Sequence, residues 1–192
     1  MCLVSSIPRH DQDTTKTRPR HDQDMTTTMP YDPKAVPYAT LRKLSIGDVE
    51  ICIGNRFSPF CLDNEYAERI SISAVQPKNT TANHLVEFDD GEGHEQANEI
   101  VIAKCKIAEG ADLLHSAVKR LQMYKKKDVR KVVIVHCFAG QNRSAAIVSA
   151  YAIKKRGWEP TKIKDYLRRQ VKRQRNVTAV LQNKSFRDIL GM

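Results

Sequence analysis

The sequence predicts an α/β domain whose central, mostly parallel sheet is flanked by helices on both faces. From residue 39 onward, short apolar runs of strand type alternate with stretches whose apolar residues recur at helical spacing. One run, Val132 to Val135, is wholly β-branched, as expected of a central strand buried on both sides. The length of 192 residues, with 41% apolar and 28% charged residues, suits one domain with a tail or two very small domains. No apolar run approaches the roughly 18 to 20 residues of a membrane span.

Residues 1 to 38 are rich in Thr, Asp, Arg and Pro. They hold a near-repeat, Pro8-Arg9-His10-Asp11-Gln12-Asp13 and then Pro19-Arg20-His21-Asp22-Gln23-Asp24. Nothing there builds a core, so a disordered tail is expected, followed by the folded domain over 39 to 192. Val49, Ile51 and Ile53 alternate before Gly54-Asn55 and read as a strand ending in a turn. Leu62, Tyr66 and Ile70 recur at i+4 around a candidate N-cap, Asp63, so a short helix is expected to lead into a strand over Ile70 to Val75. His84 to Phe88 and Glu99 to Ala103 read as two further strands, with Asp89 to Gly93 as the loop between them.

Leu113, Leu114, Ala117, Val118, Leu121 and Tyr124 form a helical stripe that runs out into Lys125-Lys126-Lys127, where positive charge suits the C-terminal dipole. After the β-branched strand, Ala145 to Lys155 reads as a helix stopped by Gly157. Pro160 opens another helix with Ile163, Leu167 and Val171 on its inner side, and Lys184 to Leu190 forms the last.

The five cysteines, Cys2, Cys52, Cys61, Cys105 and Cys137, include no CxxC pair. That argues against a disulfide framework and a zinc knuckle, and no metal or other cofactor is expected. The start shows no secretory signal, so a cytoplasmic or nuclear protein with reduced thiols is the expectation. The net charge of +10 favours anionic partners without naming them.

One segment concentrates the chemistry. His136-Cys137-Phe138-Ala139-Gly140-Gln141-Asn142-Arg143-Ser144 follows the central strand and precedes a helix. A strand, a tight loop containing Gly140 and a helix N-terminus aim several backbone N–H groups at one spot, which makes an anion cradle suited to phosphate. Arg143 closes it with a bidentate fork, and Cys137 sits at its floor, where the same positive groups favour the thiolate. A free cysteine is already a few per cent thiolate at pH 7, so full ionisation raises the nucleophile only about 30-fold. Phosphate monoester hydrolysis can require up to ~10²¹-fold acceleration. Most of the work must therefore fall to the cradle and Arg143, which neutralise the transferring oxygens.

These residues resemble the protein tyrosine phosphatase superfamily, whose pattern is His-Cys, five residues, Arg, then Ser or Thr. Within it the chain is similar to the compact dual-specificity phosphatases over about residues 44 to 190. The similarity takes in the Ile53-Gly54-Asn55 turn, the Ala108 to Leu114 stretch, the phosphate loop, and a distal Arg175 with Asn183 and Phe186; the family's Pro before that Asn is Gln182 here. The resemblance implies a protein tyrosine phosphatase-like fold and phosphorylated proteins as substrates. Cys137 would attack phosphorus, and water would hydrolyse the cysteinyl-phosphate without a metal. The loop from His136 through Phe138, Ala139, Gly140, Gln141 and Asn142 to Arg143 would bind the phosphoryl group. Ser144 would hydrogen-bond the leaving thiolate; an ordinary helix N-cap is the plainer role for it.

The family also places a general-acid Asp about 30 residues before the nucleophile, on a loop leading into a helix. The corresponding stretch, Lys104 to Asp112, has Ile107 at that place. Glu109, beside Gly110, is the first choice for the acid. Asp112 is the second, though it also suits the N-cap of the following helix, and the absence of any acid is the third.

Other functions compete. Lipid phosphatases of the superfamily tend to carry Lys in the loop, and RNA 5′-triphosphatases Thr-His before its Gly; neither occurs here. A basic C-terminal region, 12 Lys+Arg against three acids over residues 154 to 192, keeps RNA or an acidic protein open as a partner, although a solvated helix face is the plainer explanation. A phosphate-reading module without turnover is the non-enzymatic alternative, and the oligomeric state is not encoded in any motif.

Overall fold

The computed structural model describes residues 38–62, 66, 68–75, 82–90, 97–125 and 129–192. The strands are β1 (Tyr38–Thr40), β2 (Val49–Gly54), β3 (Glu68–Ser73), β4 (His84–Leu85) and β5 (Lys131–His136). The helices are α1 (Ser58–Leu62), α2 (Ala97–Met123), α3 (Arg143–Arg156), α4 (Pro160–Arg175) and α5 (Lys184–Leu190). The sheet order is β1-β2-β5-β3-β4, antiparallel between β1 and β2 and parallel elsewhere.

The β-branched run forms the central strand β5, buried at every position. Its alternate side chains enter two cores. Val133 and Val135 join Ile51, Ile53, Ile70 and Ile72 beneath α2 to α5. Val132 and Ile134 join Cys52, Tyr38, Tyr66 and Leu62 of α1 on the other face. Period-two alternation thus sends His136 to the α1 side and Cys137 to the side of the large core.

Several expectations are corrected. Glu99–Ala103 is not a strand but lies in the first turns of α2, a single helix of 27 residues. Its anchor is the stripe Ile107, Ala111, Leu114, Val118 and Leu121, while Ile100, Val101 and Ile102 are exposed. The β-branched Ile100-Val101-Ile102 run imitates a strand locally, but a helix already held by its apolar stripe continues through it. Gly110 does not break the helix. A Cβ there would stand 2.8 Å from Ile147, so this glycine is where α2 and α3 touch. The short early helix is α1, placed before Asp63, which lies outside the described residues. Of the expected tail, Tyr38 alone is described, and it opens β1, an edge strand that the sequence reading did not anticipate.

Candidate active site

The parallel strands β2, β5 and β3 end together, and ligands of open α/β sheets bind beyond such carboxyl ends. Gly54 closes β2 there, and its carbonyl accepts the Cys137 amide (3.3 Å). Cys137 is 2% exposed. Its Sγ accepts the Gly140 amide at 3.2 Å and lies 3.4 Å from Ser144 Oγ. Ser144 is not the N-cap of α3; that position belongs to Asn142, which leaves the Ser144 hydroxyl on the sulfur.

The shape of the loop is imposed from the C-terminal third of the chain. Arg175, 7% exposed at the end of α4, donates to Gly140 O (2.8 Å) and Ala139 O (2.9 Å). The Leu181 amide donates to Gln141 O (3.2 Å). Leu181 does so from a left-handed backbone, φ 54°, which costs a residue with a Cβ about 1–2 kcal/mol. With three successive carbonyls tied to these donors, the Gly140 amide is held on the sulfur, a donor of the kind an oxyanion needs. Asn142 serves the same clamp, since its Oδ1 accepts the amides of Gln182 (2.9 Å) and Asn183 (3.5 Å).

Arg143, at the start of α3, donates to Phe88 O (3.4 Å), and its Nε lies 3.8 Å from Asp90 Oδ2. Asp90 is held at this spot by the alternation of its segment. Val86 and Phe88 are buried, with Phe88 packed edge-on against Phe186 of α5 (5.6 Å), while Glu87 and Asp89 face outward. Asn183 Nδ2 donates to Asp90 Oδ1 (3.4 Å). His136 lies behind the loop with Nε2 2.9 Å from Ser71 Oγ; burial, and then Arg69, lowers its pKa to about 4, so it is neutral at pH 7.

The two expected general acids are not brought to this place. Glu109 is in the middle of α2, exposed and paired with Lys106 (2.8 Å). Asp112 pairs with Lys155 (2.8 Å) near the far end of α3, about 18 Å along the helix axis from Arg143. The Lys155 ammonium also holds the Asp112 carboxyl below its ordinary pKa. Asp90, 47 residues before Cys137, is the carboxylate that the sequence reading missed. The signal was present: Val86-Glu87-Phe88 alternates toward the sheet end and delivers the next residues to the site. Reading Glu99–Ala103 as a strand moved the expected helix start, and with it the acid loop, too far along the chain. Cys105, expected near the acid loop, is exposed on α2.

Among the described residues no group of three or more His, Cys, Asp or Glu could hold a metal ion. Several of the C-terminal cations are committed within the fold: Arg175 to the loop, Arg168 to Val180 O, Arg187 to Leu181 O and Lys155 to Asp112.

The chain matches the family model "Dual specificity phosphatase, catalytic domain" over residues 64–190. It belongs to that family. Among solved structures this dual-specificity-phosphatase domain is similar to human DUSP28, at 17% identity and TM-score 0.52, covering 81% of this chain and 90% of that one. It is likewise similar to OH1 from the Orf virus, described as a tyrosine phosphatase with triple substrate specificity, at 20% identity and TM-score 0.53, covering 82% and 87%. At these identities the likeness is one of fold. No curated protein sequence matches the chain.

Proposed function

We propose that this domain hydrolyses phosphate monoesters on the phosphotyrosine and phosphoserine/threonine residues of proteins through a cysteinyl-phosphate intermediate. The observation that carries the reading is the convergence of Cys137 Sγ, the Gly140 amide, Arg143 and Asp90 at the end of β5. Sγ attacks phosphorus, and the S–P bond forms as the ester P–O bond breaks. Arg143 and the loop amides hold the equatorial oxygens. Asp90 gives its proton to the leaving oxygen, a contribution of about 10² to 10⁴-fold. In the second step the Asp90 carboxylate takes a proton from the attacking water, and the departing thiolate accepts a hydrogen bond from Ser144. This chemistry needs a reduced thiol, in keeping with a cytoplasmic or nuclear location.

The test is turnover of p-nitrophenyl phosphate by the wild type and its loss in Cys137→Ser, followed by kcat/KM on matched phosphotyrosine and phosphothreonine peptides. Phosphopeptide binding without turnover would leave a phosphate-reading module. Strict phosphotyrosine selectivity would remove the dual specificity.

A further inference from the structure

The turn between β2 and α1 carries a cation that the phosphoryl chemistry leaves unused. The Arg56 guanidinium carbon lies 4.5 Å from the ring centroid of Phe138 and 4.8 Å from that of Phe57. Both rings are about half exposed, 48% and 46%, and Phe138 directly follows the nucleophile. The turn is tied to the phosphate loop: the Arg56 amide donates to Phe138 O (3.3 Å), and the Cys137 amide to Gly54 O (3.3 Å). Asn55 Oδ1 stiffens it by accepting the Phe57 amide (3.0 Å) and the Ser58 hydroxyl (3.3 Å). The Arg56 backbone is therefore anchored beside the phosphate loop, with its guanidinium against the Phe138 ring.

Arg143 and Arg130 each have a carboxylate beside them, Asp90 and Glu50, whereas among the described residues Arg56 has none within ion-pair distance. A guanidinium resting over aromatic rings keeps its N–H donors, which lie in its own plane, for other partners. We propose that Arg56, seated on Phe57 and Phe138, is a second anion subsite that selects substrates with a negative group next to the phosphorylated residue. The assignment rests on the phosphatase reading above. An extended peptide advances about 3.3–3.6 Å per residue. The guanidinium rests on the ring of Phe138, the residue that follows Cys137, which places it within reach of a group one or two positions along the substrate from the phosphorylated residue. A carboxylate and a phosphate both fit the planar fork.

The experiment compares kcat/KM on phosphopeptides that differ only at the flanking positions: alanine, aspartate, or a phosphonate that cannot be hydrolysed. The wild type is expected to favour the anionic peptides over the alanine peptide by about tenfold at low salt, and less at high salt. Arg56→Gln brings the ratios close to one, and Arg56→Lys restores part of them. Because each ratio is taken within one variant, a general loss of activity cancels. Preference for both anions assigns the subsite to negative charge of either source; preference for the phosphonate alone assigns it to a second phosphate. Ratios near one in the wild type, or unchanged in Arg56→Gln, overturn the subsite and leave the phosphatase reading standing. Failure of the wild type to turn over any peptide or p-nitrophenyl phosphate overturns that reading itself.

Discussion

Gly140→Ala is the substitution whose effect is most fully determined by the geometry. Gly140 has φ +68°, and a Cβ there would stand 2.4 Å from the Gly54 carbonyl oxygen and 2.6 Å from Arg175 Nη1. Ordinary carbon–oxygen contacts lie at about 3.3–3.6 Å, so the loop must retreat by about 1 Å. The left-handed backbone adds about 1–2 kcal/mol. Gly157 supplies the control, with φ +66° and nothing within 4 Å of its Cβ position, so Gly157→Ala shares the backbone penalty and lacks the collision. A displacement of about 1 Å in catalytic geometry costs on the order of 10²-fold. The expected outcome is that Gly157→Ala loses about 1–2 kcal/mol by urea denaturation and keeps its activity, while Gly140→Ala, with the collision added to the same backbone penalty, loses more stability and about 10²-fold in kcat/KM on p-nitrophenyl phosphate. Equal activity of the two variants would refute the claim that the contact with Gly54 and Arg175 sets the shape of the loop.

Asp90→Asn is expected to lower kcat on a phosphoserine peptide by about 10²-fold or more and to matter less for an aryl phosphate with a good leaving group, while Glu109→Gln and Asp112→Asn stay within about twofold of wild type. Wild-type rates for Asp90→Asn on the peptide would remove it as the acid. For His136 the folded pKa of about 4 lies below the unfolded value of about 6.5. The unfolded chain therefore takes up the proton first, and stability that is full above pH 6.5 is lost as the pH falls toward 4, by about 2 kcal/mol at pH 5. Urea midpoints at pH 7 and pH 5 check this, and His136→Asn should flatten the difference.

The parts of the fold legible in the sequence were those where local pattern and tertiary packing agree. The β-branched run of β5, the Gly157 stop, Pro160 at the start of α4 and the loop from His136 to Ser144 all declare themselves through a few adjacent residues. The misreadings arose where packing overrides pattern. Ile100, Val101 and Ile102 look like a buried strand, yet they ride exposed on a helix anchored further along. Gly110, in the stretch expected to be the acid loop, is instead a mid-helix contact with Ile147. The strand-like pattern of Glu99–Ala103 also shifts the expected acid loop past Asp90, whose place beside Arg143 is secured by the seating of Phe88 on Phe186. The clamp from Arg175 and Leu181 was hidden because it joins residues distant in sequence.

Arg175 comes 38 residues after Cys137, and Leu181 later still, yet together they hold the carbonyls of Ala139, Gly140 and Gln141. During synthesis, therefore, the thiol is made well before the donors that shape its surroundings. A growing chain that has β5 and α3 but not yet α4 has three carbonyls without those partners, each costing about 1–3 kcal/mol if buried. The surroundings of the thiol are therefore completed only when the end of α4 and the segment behind it come to rest on the loop.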